Sequence, residues 1–448
     1  MTSLRRRTLL KQTFLAAAAT TPAARSLSAC LEVSSHQQMA LPTGPLWNIG
    51  SLQPVNGLGL SLAKGCEARL LAVAGDRVVT PGGVSDRSDY SWHTYPDGGA
   101  VFARTEGGWV YTSNSEVPMV PLGGCGAISF NKEGVVDSAY SILSGTTQNC
   151  AGGTTPWQTW ISCEESRDGQ CFECDPFAPG QGQAKPALGI FAHEAFALDE
   201  RRATAYLTED TRDGRFYRWV ADPEDRLDNG RLRLEKGRLQ VMNIAGYADD
   251  CYPESDALVR GQLPVSWVDL SSPELRQDKH RGRLRRKGKA VPGTTFAGGE
   301  GLWQYTLPAS VARTLQPKGG KAPDSLIFWT TKYDNRVWCL DVANQAVELI
   351  FDNSQIDEAI MSVDNLTVSP WGDILVAEDP SKDVARLIIL NPNQGAKTLL
   401  EIHHPGSEIC GPAFSPDGSR LYFSSQRYRK GGATYEVILP KELLPTAA

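Results

Sequence analysis

The sequence predicts an all-β protein folded as a β-propeller, and three observations support this prediction. A strand, a Pro-x-Gly turn and a second strand occupy residues 366–379, and the same design returns at 413–426. Repeated hairpins at a spacing of about 40–50 residues are typical of four-stranded propeller blades. The 43 glycines and 28 prolines fit many short strands and tight turns. Helical periodicity is confined to a short segment near 310–315.

The predicted blades belong to one domain, which we place at residues 45–445. A third hairpin, with a looser turn, occupies 196–210, and alternating segments at 325–330 and 336–341 supply further strands. A chain of 448 residues would ordinarily divide into two or three domains. Repeat folds escape that limit because each unit packs only on its neighbours. The length favours six blades with loop insertions, with seven as the alternative.

The first 30 residues predict an export signal of the twin-arginine type. Arginines 5–7, a threonine, two leucines and Lys11 precede a mildly apolar run at 14–19, which is too short to span a bilayer. The twin-arginine export machinery carries folded proteins. We therefore expect a periplasmic or extracellular protein that folds, and takes up its metals, before it leaves the cytoplasm.

The end of the leader has two interpretations. Leu27-Ser28-Ala29-Cys30 resembles a lipobox, which would attach a lipid anchor to Cys30, whereas Leu27-x-Ala29 also fits an ordinary cleavage site. Residues 31–44 are expected to be a linker. No later run approaches membrane length, so the remainder is predicted to be soluble.

Charge and cysteine content exclude some classes of protein. A net charge of −6, from 51 acidic and 45 basic residues, argues against a nucleic-acid partner. The basic cluster at 279–287 is expected to be a solvated loop. Ten cysteines fit an oxidising compartment. Without Cys30 the count is odd, so at least one thiol stays unpaired, and Cys163 is the one we expect.

Acidic residues follow three of the predicted strands at the point where each strand ends. These clusters are Cys163-Glu164-Glu165, Glu209-Asp210 and Glu378-Asp379. In a propeller, equivalent strand ends from different blades converge on one mouth of the central channel. Carboxylates that meet there repel one another by several kcal/mol unless cations lie between them. The sequence therefore predicts a metal centre at the channel mouth.

The available ligands narrow the choice of metal. Only six histidines occur, which argues against a multi-histidine zinc site. Carboxylates suit hard cations such as calcium, whereas a thiolate among them suggests a transition metal. Cys163 is the expected thiolate ligand. The alternative is a disulfide between Cys163 and either Cys150 or Cys171.

At these residues the chain resembles the PhoX-type alkaline phosphatases. The longest matching motif is NCAGGTTPWQTWISCEE at residues 149–165. Further matching stretches follow in the family's order at 193–195, 208–219, 296–303, 364–379 and 408–426.

The resemblance implies a six-bladed propeller that holds iron and calcium and hydrolyses small phosphate esters at alkaline pH. Its motifs place the catalytic role on Glu300, with Glu116 as a weaker candidate ligand. They imply that the metal ligands are drawn from Cys163, Glu164, Glu194, Glu209, Asp210, Glu300, Glu378 and Asp379.

Two departures from the family pattern bear on activity. Gly298-Gly299 stands where the phosphatases commonly have Arg-Pro, so a guanidinium that could grip phosphate is absent. Ser115 stands where the family has histidine. Two alternatives therefore remain: a non-catalytic metal-binding propeller that binds a ligand or protein partner, or another calcium propeller hydrolase such as a lactonase.

Overall fold

The computed structural model describes residue 39 and residues 41–247, 261–270, 293–352, 360–380, 383–429 and 431–444. The predicted leader, Cys30 and the first part of the predicted linker lie outside the described residues.

Four strands precede the first complete blade: β1 (Leu60–Leu62), β2 (Glu67–Val73), β3 (Arg77–Val79) and β4 (Arg87–Ser91). The later strands form antiparallel groups of four, and each group is called a blade. Blade 1 contains β5 (Pro96–Ala103), β6 (Trp109–Ser115), β7 (Gly123–Phe130) and β8 (Val136–Thr146). Blade 2 contains β9 (Asn149–Thr154), β10 (Trp160–Glu164), β11 (Cys171–Cys174) and β12 (Gln183–Ala184). Blade 3 contains β13 (His193–Asp199), β14 (Thr204–Glu209), β15 (Phe216–Ala221) and β16 (Gly237–Ile244).

The second half of the chain repeats this arrangement. The strand β17 (Leu263–Asp269) joins the outer edges of blades 3 and 4. Blade 4 contains β18 (Gly299–Thr306), β19 (Ser325–Thr331), β20 (Arg336–Asp341) and β21 (Ala346–Asp352). Blade 5 contains β22 (Val363–Val368), β23 (Ile374–Glu378), β24 (Ala385–Asn391) and β25 (Gly395–Ile402), with β1 added outside β25. Blade 6 contains β26 (Ile409–Phe414), β27 (Arg420–Ser425), β28 (Ala433–Ile438) and β2.

The six blades close into a circle. Their first strands contact one another in the cyclic order β5, β9, β13, β18, β22, β26 and back to β5. The N-terminal β2 completes the last blade by pairing with β28, with Glu67 opposite Ile438. The predicted all-β propeller is therefore confirmed.

In the described residues, helices are few and short. One α-helix, α1 (Ala309–Thr314), lies where the sequence predicts a short helical segment. The described 3-10 helices are Pro45–Asn48, Pro186–Leu188, Glu200–Arg202, Pro223–Asp225 and Lys441–Leu443. Within the described ranges, we find no helix with the length and apolar character needed to cross a membrane.

Local sequence explains the repeated hairpins. In blade 5 the hydroxyl of Ser369 accepts hydrogen bonds from the backbone N–H groups of Trp371 and Asp373. Gly372 adopts a φ of +93°, a conformation that favours glycine. In blade 6, Ser415 and Gly418 make the equivalent turn.

Aromatic and aliphatic side chains fill the space between adjacent blades. Between blades 3 and 4, Phe216 packs on Trp329 with ring centroids 4.3 Å apart, and Trp329 stacks on Trp338 at 5.9 Å. All three side chains are buried. Burial of this apolar surface is the main force that holds neighbouring blades together.

Each first strand is bulged near its N-terminal end. The pairing register between the first and second strands shifts there in all six blades. A bulge inserts an extra residue and redirects side chains. The six bulges face one another around the channel, and they position the site described next.

Candidate metal centre

The second residue of every first strand points its side chain toward one end of the central channel. These six residues, called the inner ring, are Asp97, Cys150, Glu194, Glu300, Asp364 and Cys410. All six are buried. The inner ring thus takes one ionisable side chain from each blade.

The residue directly after every second strand forms a companion set. These six residues, called the outer ring, are Glu116, Glu165, Asp210, Lys332, Asp379 and Gln426. Five of them are ionisable, and four are carboxylates.

Members of the two rings lie close enough to share metal ions. Together with Glu408, they form five groups whose ligand atoms all lie within 4.8 Å of one another. Neighbouring groups share a residue, so the five groups form a closed circuit. In order, they are Asp97–Glu116–Cys150, Cys150–Glu165–Glu194, Glu194–Glu300–Asp364, Asp364–Asp379–Glu408 and Glu408–Cys410–Asp97.

Polar side chains of the second strands hold the bulges in place. Asn114 donates to the carbonyls of Cys150 (3.0 Å) and Ala151 (2.8 Å) on the next blade. Thr208 donates to the Glu300 carbonyl at 2.7 Å, and Thr330 to the Asp364 carbonyl at 2.6 Å. Because a bulge leaves backbone groups without a partner in the sheet, these bonds across blades fix the inner ring.

Mostly small residues line the channel behind the inner ring. The residue that follows each inner-ring position is Gly98, Ala151, Ala195, Gly301, Asn365 or Gly411. A Cβ atom at Gly301 would lie 2.3 Å from the backbone N of Leu366, so larger residues would force the strands apart.

Burial and mutual repulsion raise the pKa of most ring carboxyls. Burial, followed by the charges of Glu165 and Asp364, holds the pKa of Glu194 well above its usual range. Burial and the charge of Asp210 raise the pKa of Glu165 to about 9. Burial and Asp97 raise the pKa of Glu116 to about 7. Without cations the ring cannot carry its full negative charge near neutral pH.

Two buried carboxyl groups of the inner ring have oxygens that accept no hydrogen bond from the described residues. Among the described residues, neither oxygen of Glu194 accepts a hydrogen bond, and Oε1 of Glu300 accepts none. Both residues are buried, at 0% and 2% exposed. A buried carboxylate with no donor is expected to bind a cation or a proton. Oxygen ligands suit calcium, and the thiols of Cys150 and Cys410 suit a transition metal, so the residues fit both kinds of ion.

The chain also supplies two cations of its own. Lys332 Nζ lies 2.7 Å from Asp364 Oδ2 and 3.0 Å from Asp379 Oδ2. A guanidinium nitrogen of Arg427 lies 2.6 Å from Glu408 Oε1 and 3.4 Å from Asp379 Oδ1. Burial alone would raise the pKa of Asp379, but the charge and hydrogen bond of Lys332, a hydrogen bond with Glu408 and the charge of Arg427 together lower that pKa.

The structure brings together four of the eight ligands predicted from sequence. Glu194, Glu300 and Asp379 belong to the five groups. Asp210 lies beside Glu165 and is part of the same electrostatic cluster. Glu116, the weaker candidate, also belongs to a group.

The first glutamate of each acidic pair lies elsewhere. It turns away from the channel and accepts a hydrogen bond from the backbone N–H that leads into the third strand of its own blade. Glu164 accepts from Gln170 at 3.1 Å, Glu209 from Arg215 at 3.0 Å and Glu378 from Arg386 at 3.1 Å. Successive side chains of a strand point to opposite sides, which separates the two members of a pair.

Cys163 also lies outside the ring. Its sulfur is buried in the apolar cluster between blades 2 and 3, 3.6 Å from the sulfur of Cys171. The thiols that reach the ring are Cys150 and Cys410. No two cysteines among the described residues form a disulfide, and Cys251 lies outside them.

The glycine pair at 298–299 lies against the ring. Gly298 adopts a φ of +70°, and a Cβ atom there would lie 2.5 Å from the ring of Tyr333 and 2.9 Å from Asp210. Tyr333 therefore occupies the space that a larger residue at position 298 would need.

Comparison with known sequences points to one family. The sequence profile of the family described as alkaline phosphatase PhoX matches residues 120–171 and 167–427, which is more than half of the chain. No curated protein shows significant sequence similarity to the chain.

Comparison with solved structures identifies the same fold. The structure of Pseudomonas fluorescens PhoX in complex with vanadate, a transition state analogue, aligns with a TM-score of 0.64 at 14% identity, covering 88% of this chain and 98% of that one. A protein of unknown function from Bacteroides thetaiotaomicron aligns with a TM-score of 0.44 at 9% identity, covering 83% and 76%. A gluconolactonase from Xanthomonas campestris aligns with a TM-score of 0.37 at 12% identity, covering 84% and 98%. The last two are too remote to bear on function.

Proposed function

The chain belongs to the PhoX family of alkaline phosphatases, and on that basis we propose that it is a metal-dependent hydrolase of small phosphate esters. The observation that carries the proposal is the closed circuit of five overlapping carboxyl and thiol groups, each of three residues whose ligand atoms lie within 4.8 Å of one another. Such a concentration of ligands at the open end of a channel suits binding of cations and, through them, of an anionic substrate.

We assign iron and calcium as the resident metals. Carboxylates such as Glu194 and Glu300 would hold calcium, and Cys150 and Cys410 would hold iron, since thiolates favour transition metals. When bound, these cations would neutralise phosphoryl charge and lower the pKa of a coordinated water.

The chain's own residues would bind and orient the ester. Arg427 lies at the ring with 41% of its side chain exposed. Its guanidinium can donate to phosphate oxygens and so compensate for the arginine absent at position 298.

Glu300 would have the central role, because its carboxyl lies between the metal-binding carboxylates and the lysine of the outer ring. Its carboxyl lies in one group with Glu194 and Asp364, and its Oε1 lies 3.6 Å from Lys332 Nζ. We expect Glu300→Gln to abolish turnover while the fold stays intact. Glu348→Gln is the matched control, because Glu348 is equally buried but hydrogen-bonds Met39 N far from the channel.

The test uses protein exported by its own leader. Iron and calcium are first quantified, and hydrolysis of p-nitrophenyl phosphate and bis(p-nitrophenyl) phosphate is then measured with and without a chelator. Turnover that the chelator abolishes, and that Glu300→Gln lacks, would support the proposal. Unchanged activity of Glu300→Gln would rule out this site.

A second candidate function is a metal-stiffened propeller that binds a ligand or protein without turning it over. The observation that favours it is the replacement of Arg-Pro by Gly298-Gly299, with Tyr333 in the space beside them. Metals present with no turnover of either ester would favour this function. The fold alone gives no support to a lactonase.

We further propose that the twin-arginine machinery exports the protein to the periplasm or the cell exterior. The support is the basic motif at 5–11, followed by the mildly apolar run at 14–19. A lipid anchor at Cys30 remains one of two proposed outcomes of leader cleavage. Mass spectrometry of the mature N-terminus distinguishes them, since the anchored form begins with an acylated cysteine.

A further inference from the structure

The chain's own cations lie on one side of the ring only. Lys332 Nζ is 2.7 Å from Asp364, 3.0 Å from Asp379 and 3.6 Å from Glu300. Arg427 is 2.6 Å from Glu408 and 3.4 Å from Asp379. Lys332 and Arg427 therefore both form ion pairs with carboxylates of the Asp364–Asp379–Glu408 group.

The opposite side has no such partner. Among the described residues, no lysine or arginine forms an ion pair with Glu116, Glu165 or Glu194. Glu194 is fully buried and neither of its oxygens accepts a hydrogen bond in the described part of the chain. The only side-chain donor to Glu116 there is the neutral amide of Gln426, at 2.7 Å.

The position of Lys332 explains the difference. In the outer ring, blades 1, 2, 3 and 5 place a carboxylate directly after the second strand, whereas blade 4 places Lys332 there. An ammonium group has three N–H donors on one positive centre. The Lys332 ammonium faces three carboxylates and so takes the place of a small cation. Because blade 4 has a lysine where blades 1, 2, 3 and 5 have a carboxylate, it also leaves the outer ring with one metal ligand fewer.

We propose that Lys332, with Arg427, replaces a metal ion at the Asp364–Asp379–Glu408 group, so that metal binding is confined to the other four groups of the ring. A divalent cation placed among the same carboxylates would lie within a few ångströms of the ammonium, where like charges repel strongly. The inference rests on the proposed metal centre, but it concerns how many ions the ring holds and where.

Metal content per chain tests the inference directly. Wild-type protein, Lys332→Met and Lys332→Arg are exported by their own leader, and iron and calcium are quantified by mass spectrometry. We expect Lys332→Met to gain about one divalent cation per chain, and Lys332→Arg to match the wild type. Lys185→Met is the control, because Lys185 is also a buried lysine that pairs with a carboxylate, Glu173 at 2.9 Å, outside the ring. It is expected to leave the metal content unchanged.

A second pair of variants keeps the test informative if Lys332→Met does not fold. In the wild-type background, Asp379→Asn should leave the metal content unchanged, because its partners are Lys332 and Arg427. Glu194→Gln should lose at least one ion. Loss of an ion in Asp379→Asn, or a folded Lys332→Met with the wild-type metal content, would overturn the inference.

Phosphatase turnover, measured on the same samples, separates this inference from the proposed function. A wild-type protein with no turnover whose ions follow the expected pattern would refute the phosphatase and support the charge replacement. An active protein whose Asp379→Asn variant loses an ion would support the phosphatase and refute the charge replacement. A folded but metal-free wild-type protein would overturn both.

Discussion

Replacing one member of an acidic pair at a time should separate ligands from structural residues, and the pair at 164–165 is the sharpest case. Glu165 belongs to a group with Cys150 and Glu194. Glu164, one residue earlier, accepts hydrogen bonds from the backbone N–H groups of Thr147 and Gln170, both at 3.1 Å. We expect Glu165→Gln to lose metal, and Glu164→Gln to keep it.

The two changes should also have opposite effects on the stability of metal-stripped protein. Burial and Asp210 raise the pKa of Glu165 from 4.5 to about 9. At pH 7.5 the folded protein then keeps Glu165 protonated, whereas the unfolded chain ionises it, and the gap of about three pH units costs about 4 kcal/mol of folding free energy. Glu165→Gln removes that cost. It is an upper limit, because a neighbouring carboxyl can hold the proton instead. Glu164→Gln loses one of two accepted bonds and should destabilise by about 1–2 kcal/mol.

Chemical unfolding of the metal-stripped proteins at pH 5 and pH 7.5 provides the assay, with metal content measured before stripping. The stabilisation by Glu165→Gln should be largest at pH 7.5 and nearly absent at pH 5, close to the ordinary pKa of glutamate. If both variants destabilise equally at pH 7.5, or if Glu164→Gln is the one that loses metal, the assignment of the pair is refuted.

Three further predictions follow from the same geometry. Burial raises the pKa of Asp97 to about 6 and of Glu116 to about 7. The stability that these two carboxyls contribute is complete below their ordinary pKa and is lost as the pH rises through the raised pKa. The melting temperature of metal-stripped protein should therefore fall from pH 5 to pH 8, and adding calcium back should reduce that fall. Gly298→Arg should destabilise by about 2 kcal/mol or more, since its φ is +70° and its Cβ would meet Tyr333, and adding Tyr333→Ala should recover part of the loss in thermal unfolding. Asn114→Ala should cost about 3 kcal/mol in chemical unfolding, because it leaves the carbonyls of Cys150 and Ala151 and the indole N–H of Trp160 without partners.

The propeller could be predicted from sequence because the same turn residues recur at the same position in successive hairpins. Ser369 and Gly372 in blade 5 have counterparts in Ser415 and Gly418 in blade 6, and each set closes a hairpin between a first and a second strand. Strand β17 lacked a comparable signal, because it adds to the outer edges of blades 3 and 4 outside the four-stranded repeat.

The site was only half predictable. The acidic pairs indicated the ends of three second strands that lie at the ring. The sequence alone, however, does not show which residue of each pair points its side chain into the channel. That depends on the last paired residue of each strand: Glu209 pairs with His193 and Glu378 with Val363, which leaves Asp210 and Asp379 to turn inward.

The inner ring was harder to find because the bulges set it. Asp97, Asp364 and Cys410 follow no acidic motif, and each is aimed at the channel by a register shift that a two-residue periodicity does not reveal. A usable signal nevertheless existed. The separation of Cys150 and Glu165 recurs, within one residue, from Glu194 to Asp210 and from Asp364 to Asp379. Aligning the hairpins on that separation would have brought Cys150 forward in place of Cys163.

Ligand density at the ring also constrains how the protein can fold. Nine carboxyl groups converge there, four in each ring and Glu408, against two cations from the chain. Near neutral pH the folded state therefore holds protons that the unfolded chain releases, and its stability suffers accordingly. Metal ions that bind only the folded ring would reverse this penalty by mass action. Metal uptake should thus stabilise the folded chain, and a protein that takes up its metals as it folds is suited to an export route that carries folded proteins, such as the one the leader predicts.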